Sequence, residues 1–88
     1  MSKINFKELK VYLDITHERT ETIDARKPLG DLIYQRGSGI ASLDLAMRIF
    51  KSEGEMELSA EDMESLKSII NANSSAAFID SFNNNIHD

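Results

Sequence analysis

His17 and His87 are the two residues of this 88-residue sequence best suited to acid–base catalysis, because histidine titrates near neutral pH. His17 lies in a polar segment and is followed by Glu18, but the spacing differs from the H-E-x-x-H pattern that holds zinc on a helix. The chain has no cysteine and no G-x-S-x-G sequence that would expose a nucleophilic serine. We therefore predict that His17 is a solvated loop residue and that the protein has no catalytic, cofactor-binding or metal-binding residues and is not an enzyme.

A short glycine-containing segment, made of Arg36, Gly37, Ser38 and Gly39, is a candidate anion site. Backbone N–H groups at the start of a helix attract anions, and a helix is predicted directly after this segment. The G-x-G-x-x-G pattern is incomplete, because position 42 is serine, and no G-K-[ST] sequence follows. The favoured interpretation is that Gly37 ends one helix in a left-handed conformation and Ser38 caps the next. Binding of a small anion or nucleotide is the alternative.

Two tyrosines and a run of acids are the candidate surface for a protein partner. Tyrosine is enriched at the binding hot spots of protein interfaces, and both tyrosines are expected to lie outside the apolar faces of their elements. The acids of the segment 53–64 are expected to form a charged edge. A solvated edge that discourages aggregation is the simpler interpretation of these acids. The candidate surface consists of Tyr12, Tyr34, Glu55, Glu57, Glu61 and Glu64.

The charge of the chain is unevenly distributed. Its formal net charge is −5: residues 1–51 hold nine Lys or Arg and seven Asp or Glu, whereas residues 52–88 hold one basic and eight acidic residues. The sequence has no basic patch with interleaved aromatic residues, so direct binding to nucleic acid is not expected. A protein partner or a second copy is expected instead, and an acidic decoy of a nucleic-acid-binding protein is a further alternative.

A helix over residues 40–50 is predicted to lie at the centre of the fold. Ile40, Leu43, Met47 and Phe50 share one face at about 100° per residue, and Leu45 and Ile49 belong to a second apolar face. A helix that is apolar over most of its circumference is typical of a protein interior. We therefore predict that this helix is covered on several sides.

The remaining pattern predicts a small α+β domain. Residues 9–16 alternate between apolar and polar types, which indicates a half-buried strand, and residues 20–23 are expected to return as its hairpin partner. Asp24 is expected to cap a helix that contains Pro28 in its first turn and ends near residue 36. A short strand over 55–58 is expected to pair with residues 22–23 or with the first strand. A capping box from Ser59 to Asp62 begins the next helix, and a last helix is expected to fray after Phe82.

The segment 24–70 (DARKPLGDLIYQRGSGIASLDLAMRIFKSEGEMELSAEDMESLKSII) resembles small uncharacterised proteins of bacterial phages, prophages and mobile elements. The resemblance lies in the order of the elements and implies a non-enzymatic accessory role. The first residues lack the apolar run of a signal peptide, and no stretch approaches the roughly 20 apolar residues of a membrane span. A cytoplasmic location without membrane contact is therefore expected.

Together these features predict one domain over residues 1–88, with a β-rich part at 1–23 and a helical part at 24–86 that includes the short strand. Four helices, with the helix 40–50 at their centre, use most of the apolar residues. The predicted function is that of a small cytoplasmic interaction or assembly protein that binds another protein or its own copy. Homo-oligomerisation would also add buried apolar surface to a domain of this size.

Overall fold

Over the residues that the structure describes, the protein is an α+β domain of four helices and two small antiparallel sheets, and the α+β class with four helices is as the sequence predicts. The structure, a computed structural model, describes residues 2–87. Its elements are β1 (Ser2–Asn5), β2 (Leu9–Tyr12), β3 (Thr20–Ile23), α1 (Arg26–Arg36), α2 (Gly39–Lys51), β4 (Glu55–Leu58), α3 (Ala60–Asn73) and α4 (Ala76–Asn84).

The predicted N-terminal hairpin is present, but its first strand is shorter than the alternation of residues 9–16 suggested. β2 and β3 pair antiparallel, with Leu9 opposite Ile23 and Tyr12 opposite Thr20. The chain leaves the sheet after Tyr12, so Leu13 and Ile15 lie exposed in the connecting loop. Alternation of apolar and polar residues predicts a strand, but a strand continues only as far as a neighbouring strand pairs with it. The pairing of β2 with β3 ends at Tyr12.

The short strand over 55–58 is confirmed, but it pairs neither with residues 22–23 nor with the strand predicted over residues 9–16. β4 pairs antiparallel with β1, with Ser2 opposite Leu58 and Asn5 opposite Glu55. His87 exchanges two backbone hydrogen bonds with Lys3 (2.6 and 2.9 Å), while Asp88 lies outside the described residues. Both ends of the described chain therefore meet at β1.

Local side-chain chemistry begins two of the helices, and the capping box of α3 is as predicted. Ser59 and Asp62 form a complete capping box at the start of α3, and the Ser75 hydroxyl accepts the Phe78 N–H at the start of α4. α1 differs, because Ala25 and not the predicted Asp24 occupies the cap position. Asp24 precedes the cap, and its side chain accepts the Arg26 N–H. These bonds satisfy N–H groups that have no partner within the helix.

α4 extends beyond Phe82 to Asn84, contrary to the predicted fraying. The Asn84 side chain donates to the Asp80 carbonyl (2.9 Å), and the Asn85 side chain donates to the carbonyls of Ser81 and Lys10 (both 2.7 Å). Asparagine is a poor helix former in general, but here these amides satisfy carbonyl groups at the end of the helix. They also join α4 to β2.

The core lies where the two sheets meet the inner faces of the helices. α1 packs against α2 and α3, and α4 packs on β2. Ser81 is fully buried at this last contact, where its hydroxyl accepts the Tyr12 N–H (2.8 Å) and donates to the Ala77 carbonyl (2.8 Å). The buried apolar residues are Ile4, Phe6, Leu9, Ala25, Leu29, Ile33, Leu45, Ala46, Ile49, Leu58, Met63, Leu66, Ile70 and Phe82.

Candidate functional site

The largest group of exposed apolar side chains lies on the outer side of α2. We call this group the apolar face; it comprises four residues of α2 and one of α1. The prediction that α2 is covered on several sides was therefore wrong for this part of its circumference. The members, with the exposed fraction of each residue, are Ile40 (84%), Tyr34 (66%), Phe50 (51%), Leu43 (43%) and Met47 (41%).

The orientation of α2 follows from the close approach of α1. Leu45, Ala46 and Ile49 are buried on the side of α2 that packs into the domain. A Cβ added to Gly30 of α1 would lie 3.4 Å from the Ala46 carbonyl oxygen and 3.6 Å from the Phe50 Cβ. Both distances are ordinary van der Waals contacts, so an alanine would also fit at position 30. Gly30 and Ala46 are buried where the two helices meet, and the apolar face lies on the outward side of α2.

A groove runs along the outside of the α1–α2 contact. Its volume is about 260 Å³ and its accessible surface is mostly apolar. Three residues of the apolar face line this groove: Tyr34, Met47 and Phe50. The buried residues Gly30 and Ala46 line it as well. The groove is lined by Lys27, Gly30, Asp31, Tyr34, Ala46, Met47 and Phe50.

Acidic and basic residues that form ion pairs with one another border the apolar face. On α1, Lys27 Nζ lies 2.7 Å from Asp31 Oδ2. On α2, Arg48 Nε donates to Asp44 Oδ2 (2.8 Å), and its two terminal nitrogens bind the Asp62 carboxylate of α3 at 2.9 and 3.1 Å. Within these pairs, each basic side chain is held by at least one acid of the same molecule.

The Arg48–Asp62 pair also makes the stability depend on pH. The hydrogen bonds from the Arg48 side chain hold the pKa of Asp62 below its ordinary value of 3.8, against the opposing effect of partial burial. Asp62→Asn is expected to lower the free energy of unfolding by about 0.5–1 kcal/mol at pH 7, because both partners are partly exposed. Asparagine retains an oxygen that can accept the Ser59 N–H.

Because the folded-state pKa of Asp62 is lowered, the stabilisation is complete above its unfolded-state pKa and is lost as the pH falls through the folded-state pKa. The difference between wild type and Asp62→Asn should therefore disappear in acid. Urea unfolding measured in steps from pH 7 to about pH 2.5 tests this. Asp31→Asn serves as control, since its exposed pair with Lys27 should contribute little. A wild-type to Asp62→Asn difference that is constant over this range would contradict the assignment.

The structure divides the predicted partner surface into separate regions. Tyr34 belongs to the α1–α2 groove, whereas Tyr12 lines a different groove with Ala77 and Asp80 of α4. Glu55 and Glu57 of β4 lie on the other side of α2, where they line a concave region that also includes Met47. Tyr34 and these two acids thus flank the same helix.

The acids of 53–64 have several local partners. Glu53 lies 3.3 Å from Lys7 Nζ and 3.6 Å from an Arg26 nitrogen, and Glu57 lies 4.0 Å from Lys3 Nζ. Glu61 and Glu64 are exposed on α3. Across residues 2–87, no three histidine, aspartate or glutamate side chains are grouped as a metal ion would require. A partner-binding role for these acids stays a prediction.

His17 is held more firmly than the sequence indicated. Its ring stacks on that of Tyr12 with centroids 3.7 Å apart, and its Nε2 lies 2.6 Å from Asp80 Oδ2 of α4. It adopts a left-handed backbone conformation (φ 63°) in the loop between β2 and β3. The hydroxyl of the neighbouring residue, Thr16, donates to Asp14 Oδ1 within the same loop. The contacts of His17 therefore fix the loop against α4, and no local sequence signal identified Asp80 as its partner.

The segment 36–39 joins α1 to α2 tightly, as predicted, but the left-handed glycine is Gly39 (φ 83°) and not Gly37. Gly37 is extended, and its N–H donates to the Ile33 carbonyl (2.7 Å). Ser38 occupies the cap position of α2 without a side-chain capping bond, and Arg36 is exposed at the end of α1. Packing and backbone conformation account for both glycines, and anion binding at this segment stays a prediction.

The chain matches no protein-family model, and no curated protein or solved structure is detectably similar to it. The resemblance of segment 24–70 to phage and mobile-element proteins therefore stays a prediction. Within residues 2–87, no helix has the length and apolar character needed to cross a membrane.

Proposed function

We propose that this chain is a small protein-interaction domain that carries out no catalysis and binds through the apolar face. The supporting observation is the exposure of five large apolar side chains, three of which line one groove. Taking about 150–250 Å² for a fully exposed large residue, their exposed surface amounts to roughly 400–700 Å². Apolar patches of this size on a small protein are typical of protein-binding sites.

The charged residues around the apolar face supply the polar border that protein interfaces have. Glu55 and Glu57 lie on one side of α2, and the Lys27–Asp31 pair lies on the other. Charges at such a border chiefly affect the association rate and the choice of partner. A cytoplasmic location belongs to the same proposal, since a chain without cysteine does not depend on an oxidising compartment.

Site-specific photo-crosslinking in the producing cells tests this function. A photo-reactive amino acid at position 34 should form covalent adducts with a protein, because Tyr34 lies in the α1–α2 groove. Adding Met47→Asp should reduce the adduct yield at least about tenfold, since a carboxylate would enter the contact without a partner. The matched control carries the same probe in place of Lys67, which is exposed on α3.

Equal adduct yields from positions 34 and 67 would contradict the proposal. So would a yield at position 34 that Met47→Asp leaves unchanged while the circular dichroism spectrum confirms the fold. The readout is the fraction of the protein shifted to higher mass, with the mass of each adduct identifying its partner.

A further inference from the structure

The exposed residues of α2 have the spacing by which one helix packs along another. Ile40, Leu43, Met47 and Phe50 are separated by three, four and three residues. This is the a/d spacing of a helix–helix contact, in which each side chain fits between residues of the facing helix. Resting on the proposed function, we infer that the apolar face binds the same face of a second copy, with the two α2 helices antiparallel about a two-fold axis.

The shape of the face favours a second copy in this orientation. Ile40, the most exposed of its residues, projects near the beginning of α2, whereas the groove lies beside Met47 and Phe50 towards the end. Ile40 is thus roughly 10–15 Å from the groove along the helix. An antiparallel partner places Ile40 of each copy over the groove of the other, so both projections and both grooves are used. A parallel partner would bring groove against groove and leave them empty.

The area is also sufficient for a dimer. If the apolar face were fully covered on both copies, roughly 900–1,400 Å² would be buried, and the polar border would add to it. Specific and stable interfaces bury about 1,200–2,000 Å² in total. A two-fold contact needs only one such surface per molecule, because the same surface serves both copies. The apolar face and its border together would thus reach the lower end of this range without any contribution from β2, β3 or α4.

The local charge permits the contact although the chain as a whole carries a net charge of −5. Lys27 and Arg48 each hold an acid of their own helix at 2.7 and 2.8 Å. A second copy therefore meets basic and acidic groups together at the border. Glu55 and Glu57 of β4 lie beside Met47 but outside the a/d row itself, so these carboxylates belong to the border of the contact and not to its apolar centre.

The mass of the purified protein in solution is the first test. Light scattering and sedimentation over about 1 μM to 1 mM should show a species of twice 9.9 kDa. Met47→Asp should raise the dimer dissociation constant more than about 100-fold, because each copy brings an unpaired carboxylate into the contact. Tyr34→Asp, on the neighbouring helix, should act in the same direction. Ser68→Asp is the matched control, because it adds the same single negative charge at an exposed position of α3, and it should leave the dimer intact.

Engineered cysteines test the orientation, since the natural chain has none. A mixture of Ile40→Cys and Phe50→Cys proteins should form mixed disulfide dimers under mild oxidation, because an antiparallel contact brings position 40 beside position 50 of the other copy. Each protein alone should crosslink at least about tenfold less, since equal positions lie towards opposite ends of the interface. Efficient crosslinking of either protein alone would overturn the antiparallel arrangement.

A monomer at every concentration, or a dimer that Met47→Asp and Tyr34→Asp both leave intact, would overturn the inference. These outcomes are distinguishable from failure of the proposed function. If the protein is monomeric but the probe at position 34 still crosslinks a different chain, the apolar face binds a foreign partner and only the second copy is ruled out. If neither a dimer nor an adduct forms, both proposals fail.

Discussion

Leu45→Ala is expected to destabilise the protein by about 2–5 kcal/mol, whereas Leu43→Ala should cost less than about 1 kcal/mol. The two residues are of the same type and lie two positions apart on α2, but Leu45 is 2% exposed and Leu43 is 43% exposed. Removal of a buried side chain loses apolar contacts and leaves a cavity, while removal of an exposed one leaves solvent in its place. The pair therefore measures which side of α2 faces the core.

Urea unfolding of both variants gives the comparison, and it should be made at the lowest usable protein concentration. Association of the folded protein would otherwise add to its apparent stability, and Leu43 lies in the proposed contact. For a domain with a total stability of about 5–15 kcal/mol, the loss expected for Leu45→Ala is a large fraction. Equal costs for the two substitutions would mean that α2 is covered on both sides, as the sequence pattern alone suggested.

Gly37→Ala is expected to destabilise the protein by about 1–3 kcal/mol through steric overlap. A Cβ at this position would lie 2.7 Å from both the Ile33 carbonyl oxygen and the Ser42 Cβ. Neither neighbour can yield easily, since one is the backbone of α1 and the other belongs to the first turn of α2. The tight connection between α1 and α2 would have to open, and the groove beside the apolar face would change shape with it.

Gly54→Ala provides the matched control, because nothing lies within 4 Å of an added Cβ there. It should leave the stability unchanged or raise it by up to about 1 kcal/mol, since alanine has fewer conformations in the unfolded chain. Thermal and urea unfolding of both variants test the prediction. A cost for Gly37→Ala no larger than that of Gly54→Ala would show that the α1–α2 connection relaxes freely.

The sequence alone determined the features that depend on neighbouring residues. The capping box of Ser59 and Asp62, the cap at Ser75 and the tight connection at Gly37 each arise within a few residues, so short-range chemistry is enough to place them. The same holds for the four helices and the strand β4, whose periodicity is local. The α+β class follows from these elements.

Only the tertiary structure decided which elements cover one another. The pairing of β1 with β4 joins residues fifty or more positions apart, and the contact of His17 with Asp80 spans sixty-three. α2 has two apolar faces in its sequence, and periodicity cannot show which of them a neighbour will cover. In the folded chain Leu45, Ala46 and Ile49 lie on the covered side of α2 and α1 packs beside Ala46, so Met47 and its neighbours are left in solvent. The site proposed for binding is therefore the apolar surface that the packing of this chain leaves uncovered.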